Sequence, residues 1–163
     1  MRKTNKRSPG YKTKAELKKE RRELTKQSKM EKKHLVGIYD HFRKDGILNS
    51  LLPEPTCKLI GTFSTEPIYN MYYVENDNNC VIQENGNSSI KIEVWEVNES
   101  SLIKIEKEYC YYAEFEDYPQ EYTKKTLVSP FGNITLYISI TEQDSKELII
   151  DGDWIEHINS LKV

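Results

Sequence analysis

Long apolar runs are missing from this chain: no stretch of about 18 hydrophobic residues occurs, which excludes a helical membrane span. The basic N-terminus likewise lacks the short apolar segment of a secretory leader. Cysteine is scarce, and Cys57, Cys80 and Cys110 are too scattered for a zinc knuckle or a disulfide framework. Free thiols in a reducing cytoplasm are therefore expected. Glycine is sparse too, and none of the 7 residues builds a phosphate-cradling G-x-G-x-x-G or G-x-x-x-x-G-K-S/T loop. His34, His41 and His157 show no metal-ligand spacing, and no strand-serine-helix elbow for a nucleophile is visible. No metal and no cofactor is expected.

What the chain has in quantity is charge. Its 163 residues suffice for one domain and an appendage, and with 37% hydrophobic against 31% charged residues the core must be small. The net charge of −2 conceals a division. Residues 1–33 carry 14 Lys and Arg against 4 Glu, a net +10; the rest carries 10 basic and 22 acidic residues, a net −12. A basic arm is thus joined to an acidic body. The frequent Lys, Asn, Ile and Tyr point to a low-GC genome, a viral one among the candidates.

The arm, residues 1–33, reads as a disordered start followed by a solvated helix. Ser8-Pro9-Gly10 favours a turn, and Thr13 with Glu16 has capping-box spacing. Leu17, Leu24 and Met30 make a narrow apolar stripe that stabilises a helix only weakly. The arm has three readings: a solubilising tail, a non-specific nucleic-acid contact, or a segment docking on an acidic protein surface. Tyr11 is its one aromatic residue, so base stacking is not expected.

From His34 onward the pattern changes to short strands. Leu35–Tyr39, Lys58–Phe63, Ile68–Val74, Cys80–Gln83, Ile90–Val97, Tyr122–Val128 and Ile134–Ile140 are apolar or alternating runs separated by turns. Ile47–Leu52 reads as a brief helix stopped by Pro53 and Pro55. Asn98 caps a longer helix over Glu99–Tyr109, with Leu102, Ile105 and Tyr109 at helical spacing. An acidic loop follows around Glu114–Gln120. The expectation is an α+β domain over residues 34–163: a small mixed β-barrel or curved sheet of about six strands with flanking helices. Nothing in the pattern selects an oligomeric state.

The order of motifs from "KDGILNSLL" through "KLIGTFSTEPIYNMYYV", "NGNSSIKIEVWEVNESSLIKIE", an isolated Tyr122 and "PFGNITLYI" to "DGDWIEH" resembles the γ-glutamylcyclotransferase-like (AIG2-like) superfamily. The resemblance spans about His34–His157. It implies a small barrel with a cavity at one end. In active members a Tyr-Gly-Ser/Thr-Leu motif offers backbone amides to the α-carboxylate of a γ-glutamyl group. A glutamate after the main helix then serves as acid and base during release of 5-oxoproline.

Both places differ here. Tyr39 matches, but Asp40-His41-Phe42 replaces the Gly-Ser/Thr-Leu segment, and Tyr109 falls where the glutamate is expected. Glu106 and Glu108 are the fallback acids, although a shift of one residue turns a helical side chain by about 100°. The candidate ligand-binding residues are Tyr39, Asp40, His41, Phe42, Tyr109 and Tyr122. Each also has a plain structural reading: core aromatics for Tyr39, Tyr109 and Tyr122, a solvated loop residue for His41, and solvated helix charges for Glu106 and Glu108. Asn49 pins the loop, Trp95 and Trp154 pack, and Cys110 is a structural thiol. The first functional reading is a non-catalytic protein that holds a small molecule in the inherited cavity, sequestration being one use of it. An active γ-glutamyl or γ-glutamylamine cyclotransferase comes second. An interaction protein using its arm on nucleic acid or an acidic partner comes third.

Overall fold

The computed structural model describes residues 12–75, 78–109, 121–141 and 146–162, with the side chains of 28–31 outside this set. The Ser8–Gly10 turn, the Glu114–Gln120 loop and Cys110 lie outside the described residues. The chain divides into two compact units, Met1–Lys32 and Lys33–Val163. No helix among the described residues is long and apolar enough to cross a membrane.

The first unit contains helix α1 (Lys14–Glu31). Its start forms the expected capping box: Thr13 Oγ1 accepts from the Glu16 amide at 3.3 Å, and Glu16 Oε2 accepts from the Thr13 amide at 2.6 Å.

The second unit holds eight strands, more than the six or so expected. They are β1 (Lys33–Ile38), β2 (Cys57–Ser64), β3 (Tyr69–Val74), β4 (Asn79–Glu84), β5 (Lys91–Asn98), β6 (Tyr122–Ser129), β7 (Gly132–Ser139) and β8 (Glu147–Ile149). Two helices join them, α2 (Glu99–Glu108) and α3 (Trp154–Ser160). The segment read as a brief helix is a single 3-10 turn over Asn49–Leu51. The strands form a five-stranded sheet ordered β2-β5-β1-β7-β6 and a three-stranded sheet ordered β4-β3-β8. This is the mixed, curved-sheet α+β architecture expected, with β1 antiparallel to β5 and parallel to β7.

Burial follows side-chain parity. On β5, Ile92 and Val94 join the core cluster that contains Met71, Cys80, Ile82 and Ile149 of the small sheet. Trp95 and Val97 join the other cluster, which contains Ile105 and Tyr109 at the end of α2. The large sheet is therefore buried on both faces, as the apolar residues of both parities in Ile92–Val97 require. Gly37 sits within it because a Cβ there would lie 2.8 Å from the Ile134 side chain. Cys57 and Cys80 are buried free thiols.

Candidate functional site

β1 ends at Ile38 and delivers Tyr39 into the core, fully buried, its hydroxyl donating to the Tyr137 carbonyl at 2.8 Å. The chain then turns back on itself. Arg43 N–H donates to the Asp40 carbonyl at 3.0 Å, Gly46 N–H to that of Arg43 at 2.8 Å, and Leu48 N–H to that of His41 at 3.0 Å. Gly46 is required: a Cβ there would stand 2.2 Å from the His41 carbonyl oxygen. Three side chains fasten the loop from outside. Asn49 Nδ2 donates to the Phe42 carbonyl at 2.9 Å, and Glu93 Oε2 accepts the Lys44 amide at 2.7 Å. Buried Arg43 donates to Asp153 Oδ1 at 2.6 Å and stands 3.5 Å from Glu93. Asp153 in turn caps α3 by accepting from the Ile155 and Glu156 amides.

Asp40 is the centre of the arrangement. Its carboxylate is 2% exposed, with Oδ1 accepting the Phe42 amide at 3.2 Å and Oδ2 accepting the Tyr109 hydroxyl at 2.6 Å. Tyr109 is the C-cap of α2, held there by its amide bond to the Ile105 carbonyl. Its ring stacks on Tyr137 at 4.8 Å and meets Tyr122 at 5.0 Å and Phe42 at 5.8 Å. Tyr137 continues the network, its hydroxyl donating to Glu106 Oε1 at 2.7 Å, while Lys124 pairs with the same carboxylate.

The electrostatics follow from burial. Asp40 is pushed above its ordinary value by desolvation, which the hydrogen bonds from Tyr109 and Phe42 only partly offset. Tyr109 and Tyr39 are held far above the usual phenol range, by burial first in both; the Asp40 charge comes next for Tyr109, and Tyr122 followed by Asp40 for Tyr39. The Tyr109 hydroxyl thus remains a donor and Asp40 the acceptor. Asp153 behaves oppositely: burial raises it, but hydrogen bonds from Lys91 and Arg43 outweigh that and hold it low. A buried carboxylate without a cation at contact distance is costly, and such groups concentrate at functional sites.

Of the residues singled out in the sequence, Asp40, Phe42, Tyr109 and Tyr122 meet in one cluster, and Tyr39 joins it through Tyr137. His41 does not: it turns to the small sheet, with Nε2 2.7 Å from the Asn78 carbonyl and Nδ1 accepting from Trp154 Nε1 at 3.4 Å. Its reading as a solvated loop residue is corrected by 7% exposure, since the loop folds over Trp154 rather than into water. Glu106 is corrected in the same sense, being part-buried between Tyr137 and Lys124, whereas Glu108 is exposed on α2. Tyr137 escaped the sequence reading because Ile134, Leu136 and Ile138 marked the opposite face of β7 as the buried one. Its aromatic ring between them was the available signal. Arg43, Glu93 and Asp153 were also missed, since ion pairs spanning 50 and 110 residues leave no local pattern. No group of three or more His, Cys, Asp and Glu able to hold a metal occurs among the described residues.

No protein-family model matches the chain. A Vibrio cholerae protein named "Putative gamma-glutamylcyclotransferase" is 30% identical over 125 residues, which are 77% of this chain and 98% of that protein. Two solved structures share the fold. One is an uncharacterized Pyrococcus horikoshii protein, with a TM-score of 0.61 and 21% identity over 79% of this chain and 96% of that one. The other is Escherichia coli ytfP, with a TM-score of 0.55 and 21% identity over 76% of this chain and 98% of that one. With nearly the whole length of the Vibrio relative matched, the chain belongs to the γ-glutamylcyclotransferase-like family.

Proposed function

We propose that this chain is a ligand-binding member of its family that does not perform cyclotransfer through a helix-end glutamate. One observation carries the reading: the Asp40 carboxylate occupies both the Phe42 amide and the Tyr109 hydroxyl. The resemblance assigns the amides of the segment matched by Asp40-His41-Phe42 to a ligand carboxylate, yet the Phe42 amide donates to Asp40 Oδ1, and the next two amides, of Arg43 and Lys44, also donate within the protein. A second carboxylate brought within about 4 Å of Asp40 would be opposed by roughly 4 kcal/mol at an effective dielectric of ~20. The site therefore suits a molecule that offers hydrogen-bond donors or positive charge to Asp40 and a flat face to Phe42, Tyr122 and Tyr137. Tyr109 fills that space, so binding entails its displacement.

The test is recovery and rebinding. Mass spectrometry of compounds that co-purify with the protein should identify a ring-bearing, neutral or cationic molecule, released chemically unchanged. Added back in excess, it should raise the melting temperature, because it binds the native state alone. Asp40→Asn should weaken it at least tenfold; unchanged affinity in Asp40→Asn and Tyr109→Ala would refute the site. The second reading, an active cyclotransferase, rests on Glu106, whose carboxylate reaches the cluster through Tyr137. It requires 5-oxoproline release that Glu106→Gln abolishes.

A further inference from the structure

The charges of α1 are sorted by face. Lys14, Lys18, Arg22 and Lys26 recur every four residues and so form one row along the helix, flanked by Lys19 and Arg21. Glu16, Glu20 and Glu23 occupy the far side. The row and its flanking cations are all exposed. This sorting has a cost. Lys14–Lys18, Lys18–Arg22, Arg22–Lys26 and Glu16–Glu20 are like-charged neighbours at i,i+4, and Lys19–Glu23 is the one opposite pair at that spacing. Each like-charged pair disfavours an isolated helix by roughly 0.2–0.5 kcal/mol. A helix shaped for solubility alone would interleave the signs; this one gathers cations at its own expense.

We infer that the cationic row of α1 binds the phosphate backbone of nucleic acid without reading its sequence. Successive row cations lie about 6 Å apart along the axis, a regular spacing that lets several of them reach phosphates of one strand together. The far-side glutamates forbid seating deep in a groove, where both strands would surround the helix. Contact is one-sided, along a single backbone. Leu17 and Leu24, at 48% and 59% exposure, are the large apolar side chains described on α1. Two leucines and no aromatic residue form neither the anchor of a protein interface nor a membrane-inserting face.

Fluorescence anisotropy of the full chain with a labelled 25-base-pair duplex tests this. With four phosphates engaged, affinity should fall about a hundredfold between 50 and 200 mM salt, equally for unrelated sequences. Replacing Lys14, Lys18, Arg22 and Lys26 by alanine, which preserves helix propensity, should flatten that dependence. A redistributed variant (Lys18→Glu, Arg22→Glu, Glu20→Lys, Glu23→Lys) keeps the net charge and should bind at least tenfold more weakly than wild type at 100 mM salt. Equal binding by the redistributed variant would overturn the proposal, as would absence of binding by the wild type. Salt-sensitive self-association without any anisotropy change would assign the row to a second copy of the chain and overturn it as well.

Discussion

Asp40 and Tyr109 are the two positions at which the resemblance reads a change, and the fold brings them into contact. With a second acid at the α2 terminus, a buried aspartate at 40 would keep only the Phe42 amide and would face a like charge. A tyrosine at 109 instead gives it a short hydroxyl donor, 2.6 Å away. Removing that donor by Tyr109→Phe keeps the ring stack and should cost about 1.5–3 kcal/mol in urea denaturation, the range for hydrogen bonds to charged groups. Tyr109→Glu alone should be worse by several kcal/mol, since two carboxylates then face each other. Asp40→Gly added to Tyr109→Glu should recover at least ~2 kcal/mol of that loss, a coupling that independent sites would not show. The pH dependence carries a definite sign. Asp40 has a raised folded value, so the folded state binds its proton more tightly and stability falls as pH rises past the ordinary aspartate range near 4. The stability of wild type relative to Asp40→Asn should therefore decline from about pH 4 towards pH 7.

Between loop and helix, Asp153 is the joint. It caps α3 and receives Arg43, so one side chain ties the loop after β1 to the C-terminal helix. Asp153→Ala should cost roughly 1.5–3 kcal/mol, because buried Arg43 loses its hydrogen-bonded carboxylate and keeps only the Glu93 pair at 3.5 Å. Its folded value is lowered, so its contribution is present above the ordinary aspartate range and is lost as pH falls through it. The stability of wild type relative to Asp153→Asn should fall on acidification, whereas relative to Asp40→Asn it should rise. Elements of this size differ in how far the sequence announces them. α2 was legible from Asn98 and the Leu102–Ile105–Tyr109 spacing, and β5 from its apolar residues on both faces. β8 was not read as an element, and α3 was marked only through the "DGDWIEH" motif of the resemblance, without its helical character. Glu147–Ile149 is three residues long, below any periodicity, and α3 depended on recognising Asp153 and Glu156 as cap and third helical residue.

At the scale of the molecule, motif order conveyed the family and fold but not the site's internal connections. The residues that meet at Asp40 come from β1's loop, α2, β6 and β7, and their separation in sequence hides the meeting. Tyr39, Asp40, Phe42, Tyr109 and Tyr122 could be named beforehand only as positions in a family pattern. That Asp40 takes up the loop's own donors is a property of the folded chain. It joins the two positions where the resemblance expects a glycine and a glutamate into one hydrogen-bonded unit. The most direct measurement is 5-oxoproline release from a panel of γ-glutamyl dipeptides and γ-glutamylamines by the purified full-length chain. Release no greater than in the enzyme-free control is the predicted result, including for Glu106→Gln. Turnover by wild type that disappears in Glu106→Gln would contradict the account.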